Sequence, residues 1–253
     1  MQPIKAFLTV VVISLALFSC AKKEALRRTE IAPYQGTVTV GSLTQSIGFG
    51  NVSSVKALAE VSIARQGEYE GSLNGVFAYK APGKIRLTLF GPFGLTMSDM
   101  VLSGELLQLF VPSKNTLYEW NSPEVGFSGL LNNRFRYEMG TEDDNYVLFA
   151  YKAGGPNADV AAKYFFDRVY LLNREICFYK DGSEFIKAEL NDYNGRVPGR
   201  TKLTLSNGLV LEIALQEPEI GADIPDGYFS GIAHGDKKIK SFHELLKHYT
   251  PGL

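Results

Sequence analysis

Apolar and polar residues alternate along most of this chain. Leu73, Phe77 and Tyr79 alternate with Ser72, Asn74 and Ala78, and Ile85, Leu87 and Leu89 alternate with Lys84, Arg86 and Thr88. A period of two sends successive side chains to opposite faces, so these stretches predict half-buried antiparallel strands, apolar on one face and wet on the other. Ala81, Pro82 and Gly83 supply the turn between them, since proline fixes φ and glycine tolerates positive φ. Further strands are expected over 95–102, 106–111, 116–120, 176–180 and 184–188.

Two hairpins carry register predictions. Asp181-Gly182 suits a two-residue type I′ turn, which would set Phe178 opposite Phe185. At Asn207-Gly208 a two-residue loop would split the apolar set between faces. A three-residue loop, 206–208, instead pairs Leu203 with Leu211 and Leu205 with Leu209, and is preferred, with Gly208 left-handed. Helices are few: one expected within 37–47 and a short turn within 126–133. A third, over 241–250, starts at the Ser241…Glu244 capping box, carries Phe242, Leu245, Leu246 and Tyr249 as a stripe, and ends at Pro251-Gly252.

The first twenty residues follow a different pattern. Lys5 precedes an apolar run over 6–18, too short to span a bilayer, and Ser19-Cys20 follows it. This is the layout of a secretory signal peptide over 1–19. Leu17, Ser19 and Cys20 resemble the lipobox of lipid-modified exported proteins, with Phe18 a departure from the usual small residue. The resemblance implies acylation of Cys20, by palmitate or similar chains, and an anchor in the bacterial envelope. Ala21 in place of aspartate after the cysteine implies the periplasmic face of the outer membrane. Residues 20–33 then read as a charged tether, at most about 40 Å long when extended. The rest, 34–253, reads as a single β domain.

Charge and cysteine content narrow the function. Without 1–19 the chain keeps 25 basic and 27 acidic residues, and no clustered basic excess exists for nucleic acid to neutralise. Cys177 is then the only cysteine besides Cys20, so no intramolecular disulfide is available and apolar burial must hold the fold. No G-x-S-x-G is present. His243 and His248 are five apart, off a common helix face, and His234 sits in a loop beside Gly235. Glu142, Asp143, Asp144 and Asn145 read as a solvated acidic turn, and Cys177 as a buried, inert thiol. Neither catalytic residues nor a metal site nor a cofactor is expected.

The segment 81–104, APGKIRLTLFGPFGLTMSDMVLSG, resembles the LolA/LolB lipoprotein-localisation family, and its outer-membrane receptor branch LolB above all. That family shows an R-l-x-l strand, a short N/G-P-hydrophobic-G loop and a strand returning toward a glycine turn, matched here by Arg86 to Phe90, by Gly91, Pro92, Phe93 and Gly94, and by the run to Gly104. The resemblance is carried by residues 60–120, with 224–229 echoing a late family strand. It implies a mainly β fold: an open, curved antiparallel half-barrel with a few helices lining the concave side, around an apolar cavity for acyl chains. It implies a membrane-insertion loop at Pro92, Phe93 and Gly94, Phe93 standing where the branch carries an exposed leucine. It also implies partners: the acyl chains of lipoproteins or lipids, a LolA-like periplasmic carrier, and the membrane. Leu73, Phe77, Ile85, Leu87, Leu89, Leu107 and Leu109 are the cavity-facing candidates, although periodicity alone equally allows a plain filled core. The other function class left open is a structural or assembly lipoprotein whose β domain binds an envelope protein.

Overall fold

A computed structural model describes residues 29–121, 135–152, 159–242 and 244–245. The alternating segments form strands β1 (Ser54–Arg65), β2 (Glu68–Lys80), β3 (Lys84–Phe90), β4 (Thr96–Ser103), β5 (Leu106–Val111) and β6 (Thr116–Asn121). After them come β7 (Phe135–Glu142), β8 (Asn145–Lys152), β9 (Val160–Asp167), β10 (Asn173–Lys180), β11 (Ser183–Asn191), β12 (Arg200–Leu205), β13 (Leu209–Ile220) and β14 (Lys238–Ser241). All fourteen belong to one open, curved sheet in the order β14-β6-β5-β4-β3-β2-β1-β13-β12-β11-β10-β9-β8-β7. Two meanders, β1–β6 and β7–β13, are thus joined where β13 pairs with β1, a contact between residues as distant in sequence as Val61 and Ile213. Every neighbouring pair is antiparallel except β14, which lies parallel to β6, a departure from the all-antiparallel sheet expected.

Register keeps the apolar residues together. One row crosses the sheet as Ala57, Phe77, Leu87, Met100, Leu109 and Tyr118. In the other meander Leu203, Ala188, Ile176, Tyr164 and Leu148 make the corresponding row. Both rows occupy one face, called the inner face below. A slip of one residue in any strand would turn its apolar set to solvent, so burial fixes the register. The outer face instead carries ion pairs across strands, Lys163–Glu142 and Lys187–Glu175 at 2.8 Å and Arg200–Glu212 at 2.7 Å. Such pairs are worth at most about 1 kcal/mol each.

At Ser206–Gly208 the three-residue loop forms as expected, with Leu203 opposite Leu211 and Gly208 at φ 80°. At Asp181-Gly182 both residues have positive φ, as a type I′ turn requires, yet Phe178 faces Ile186 rather than Phe185. A bulge between Tyr179 and Phe178 takes up one residue. Without it Phe185, Lys187 and Glu189 would turn inward, whereas the bulge buries Ala188 and Leu190. The segment 224–229 differs as well. Asp226–Phe229 is a 3-10 turn on the outer face, not a strand, because Pro225 lacks an N–H and Asp226 is held by Lys84 at 2.9 Å and Lys80 at 3.2 Å.

The inner face is covered from two places. Helix α1 (Val40–Gln45) is shorter than expected; Thr39 caps it, its Oγ1 accepting from the Ser42 N–H at 3.1 Å while Ser42 Oγ accepts from the Thr39 N–H at 2.8 Å. Six residues make a marginal helix in isolation, and burial of Leu43 on the β8–β9 region stabilises it by about 1.5–3 kcal/mol. Over the β1–β4 region sit Phe49, Val52 and Val197. At the C-terminus, Phe242 is helical and stacks on Trp120 at 6.0 Å, while most of the expected 241–250 helix, and the turn expected within 126–133, lie outside the described residues.

Candidate functional site: an apolar face and its exposed tip

The β3–β4 connection is an apolar tip. Pro92–Gly94 forms a 3-10 turn in which Phe93 stands at φ 58° and Gly94 at φ 72°. Phe93 is fully exposed, Leu95 is 67% exposed and Met97 39%. From Leu87 to Ser98 there is no charged residue. Holding a phenylalanine in the left-handed region costs about 1–2 kcal/mol, and leaving its ring in water forgoes burial. Among the described residues nothing folds back over this ring.

The seven inner-face candidates lie on one side of the sheet, by register. Phe77, Ile85 and Leu87 are buried, and Leu89 and Leu107 pack against them. Leu73, opposite Val61, and Leu109, opposite Met100 and Tyr118, are half-buried on the same face. Phe49 caps the group, 4.4 Å from the Tyr79 ring and 5.7 Å from Phe77. In this state the β1–β4 part is therefore packed by the chain itself. Cys20 and the rest of 1–28 lie outside the described residues.

The β7–β9 part of the same face holds two side chains that sequence reasoning did not single out. Tyr137 and Tyr164 are buried at their hydroxyls with no hydrogen-bond partner among the described residues. Burial pushes the Tyr137 phenol up to about 12 and raises Tyr164 still further, with Tyr137 adding to that shift. Both therefore stay protonated as donors. A buried hydroxyl without an acceptor costs about 1–3 kcal/mol. Their neighbour Tyr193, in the same cluster, donates to the Asn173 carbonyl. The signal available in the sequence was tyrosine at an inward position of two strand patterns, 135–137 and 160–166.

The outer face of β2–β6 carries a strap, 222–237. The Ser54 hydroxyl, at the start of neighbouring β1, donates to the Ala222 carbonyl at 2.7 Å, Lys80 to the Ile224 carbonyl at 2.7 Å, and Arg86 Nη1 to the Tyr228 carbonyl at 2.8 Å. Arg86 also meets Asp99 through two nitrogens, at 2.6 and 3.1 Å, which raises its already high pKa. Gln108 accepts from the Ile232 N–H at 2.6 Å, and Glu119 contacts Gln108 at 2.6 Å and His234 at 2.9 Å.

Chemistry by side chains is sparse. Among the described residues no group of three or more His, Cys, Asp or Glu is arranged to hold a metal ion, and no helix is long and apolar enough to cross a membrane. Cys177 is buried on the outer face between Lys163 and Lys187; burial, then the carboxylates of Glu184 and Glu175, push its thiol well up. That environment disfavours the nucleophilic thiolate. An open polar pocket of about 330 Å³ on the outer face is lined by Arg174, Glu175 and Glu189, among others. Each of these three is already paired, with Asp167, Lys187 and Lys202.

No protein-family model and no curated protein matches the sequence. Solved structures do match the fold. A LolA superfamily protein from Nitrosomonas europaea superposes with a TM-score of 0.54 at 15% identity, over 77% of this chain and 99% of that one. The sheet is of the LolA type. A DUF1329 family protein from Desulfovibrio piger gives 0.58 at 11% identity, over 76% and 95%. A domain from Vibrio parahaemolyticus, named for outer membrane lipoprotein sorting, gives 0.55 at 10% identity, over 76% and 94%. At these identities the likeness is one of fold, and it covers the LolA-type sheet nearly whole.

Proposed function

We propose that this is an exported protein, held at the periplasmic face of the outer membrane by an acylated Cys20, whose LolA-type sheet binds acyl chains on its inner face. Its role is to receive lipoproteins and pass them to the membrane, as a LolB-like receptor does, without catalysing a reaction. The observation that carries this is the β3–β4 tip. A fully exposed Phe93, backed by Leu95 and Met97 in an uncharged hairpin, is a costly surface in water and a favourable one at a lipid interface. Leu73, Phe77, Ile85, Leu87, Leu89, Leu107 and Leu109 would line the acyl site once Phe49 yields. At about 0.8 kcal/mol per buried methylene, acyl chains need no charged pocket.

The packing of Phe49 against Phe77 and Tyr79 favours a second reading, in which the face is plain core and the protein is an assembly lipoprotein that binds another envelope protein. One experiment separates them. The full chain carrying Cys20→Ala is analysed by native mass spectrometry for co-purified lipid and offered an acylated client bound to a LolA-like carrier. Lipid adducts and client uptake are expected, and Phe93→Glu is expected to keep uptake while cutting delivery to vesicles at least ten-fold. Absence of both lipid and uptake favours the assembly role, and undiminished delivery by Phe93→Glu removes the tip from the mechanism.

A further inference from the structure

Over β7–β10 three buried side-chain polar atoms have no hydrogen-bond partner among the described residues: the hydroxyls of Tyr137 and Tyr164 on the inner face, and Oδ1 of Asn173. Tyr137 sits on β7 opposite Ala150, Ala150 sits opposite Ala162 on β9, and Tyr164 is the next inward residue after Ala162. The two phenols are therefore diagonal neighbours across three strands, with two fully buried alanines between them. Both hydroxyls are buried and neither has an acceptor among the described residues. Tyr193, in the same cluster, shows that the fold supplies an acceptor where a phenol is purely structural, since its hydroxyl meets the Asn173 carbonyl. Buried donors are satisfied in native proteins by protein, ordered water or ligand. Two such donors on one face, with small side chains between them in an apolar cluster, offer a place for an acceptor oxygen embedded in hydrocarbon.

We propose that Tyr137 and Tyr164 form the polar end of the acyl site, donating hydrogen bonds to the ester carbonyl of a bound acyl chain. This rests on the acyl-binding reading above and names the part of the ligand that the sheet recognises. A neutral ester fits better than a free fatty acid. The inward positions around the pair, Phe135, Leu148, Ala150, Ala162, Phe166, and Ile176 on β10, are apolar; the cation on this face of β8, Lys152 opposite Phe135, is exposed at the strand end, so a carboxylate buried between the phenols would have no buried counter-charge. An ester carbonyl instead accepts two neutral donors and leaves the chain to run along the apolar rows toward β1–β4. The site thus reads the bond that acylated cargo and glycerolipids share, while the length of the chain is read by area alone.

The test uses two lipids that differ only in that carbonyl. The full chain carrying Cys20→Ala is titrated calorimetrically with 1-monopalmitoylglycerol, an ester, and with 1-O-hexadecylglycerol, its ether counterpart, with palmitate as a third arm. The starting protein is expected to bind the ester more tightly than the ether. Tyr164→Phe is expected to weaken ester binding about five- to ten-fold, to leave ether binding unchanged and to leave the melting temperature of the unliganded protein undiminished, since an unpaired hydroxyl is removed. Tyr137→Phe, at a half-buried position, serves as a second variant with the same expected split. Equal losses for ester and ether, or no loss for either, overturn the assignment; a lowered melting temperature with no change in ester binding does so by revealing a structural partner. Tighter binding of palmitate than of the ester, abolished by the same variants, would reassign the pair to a carboxylate and overturn the ester. If the starting protein binds none of the three, the acyl-binding reading itself falls, which is distinct from binding that ignores the tyrosines.

Discussion

The two apolar clusters of the inner face are built from the same alternation of residues and are finished differently. Over β1–β4, Phe49 lies against Tyr79 and Phe77, and the Tyr79 hydroxyl meets the Gly83 backbone. Over β7–β10, helix α1 contributes Leu43, followed by Ile47, and the tyrosines leave two hydroxyls without acceptors among the described residues. The first cluster looks like core completed by its own chain. The second has the same burial but unspent hydrogen-bonding capacity, so it is the half that gains most from a ligand. A sheet can thus carry core and site side by side without any change in its strand pattern, because the difference lies in what covers each half and whether polar atoms are answered.

Removing a large side chain from each half gives the largest effect. Phe166 is fully buried beside α1, and Phe77 is slightly exposed beneath Phe49. Phe166→Ala is expected to cost about 3–5 kcal/mol, and Phe77→Ala to fall at or below the lower end of that range because Phe49 can relax into the space. Chemical denaturation followed by circular dichroism measures both. If Phe77→Ala proves the costlier, the β1–β4 half is the more rigidly packed and the ranking reverses.

The halves also differ in how pH should loosen them. Tyr137, Tyr164 and Tyr193 all have folded pKa values raised by burial, Tyr137 to about 12, whereas in the β1–β4 half Tyr79 is raised by burial against an opposing backbone bond from Gly83. A raised folded pKa gives stability that is complete below the unfolded value of about 10 and is lost as pH climbs through the folded one. The strap over β2–β6 behaves in the opposite sense. Asp226 is held low by Lys84 and Lys80; for Glu119 burial pulls upward, yet the bonds from Gln108 and His234 win and hold it low. Their contribution is present above about pH 4.5 and fades as pH drops through the folded values. Hydrogen exchange should therefore show 222–237 opening first in acid, and β7–β9 first in base. The same region leading at both extremes would erase the distinction.

These contrasts show where the sequence was informative. The alternation at 72–79 and 84–89, and the turn residues at 181–182 and 206–208, are local and lead directly to β2 and β3 and to the β10–β11 and β12–β13 hairpins. The Phe178–Phe185 pairing failed because a bulge adds one residue with no local signature; only the need to keep Lys187 and Glu189 off the inner face demands it. The 3-10 turn at Asp226 was equally hidden, since its partners Lys80 and Lys84 lie more than 140 residues away and meet it only once the sheet exists. Phe93 was legible because Pro92 and Gly94 flank it. The unanswered hydroxyls of Tyr137 and Tyr164 were not, since satisfaction depends on what the far side of the core presents.

The smallest stability effect belongs to the tip, and its sign is the informative part. Phe93 occupies φ 58°, a conformation that glycine adopts freely, and its ring touches only solvent in this state. Phe93→Gly is therefore expected to stabilise the fold by about 1 kcal/mol or less through relief of the backbone, offset in part by the extra freedom glycine gives the unfolded chain. Binding to anionic vesicles, measured by co-sedimentation of the Cys20→Ala chain, is expected to weaken by about ten-fold or more in the same variant. A residue whose removal makes the protein more stable and less able to meet a bilayer is held there for contact, not for folding. A loss of stability on Phe93→Gly would instead mean that the ring packs on Leu95 or Met97 in solution, making the tip an extension of the core cluster beneath it.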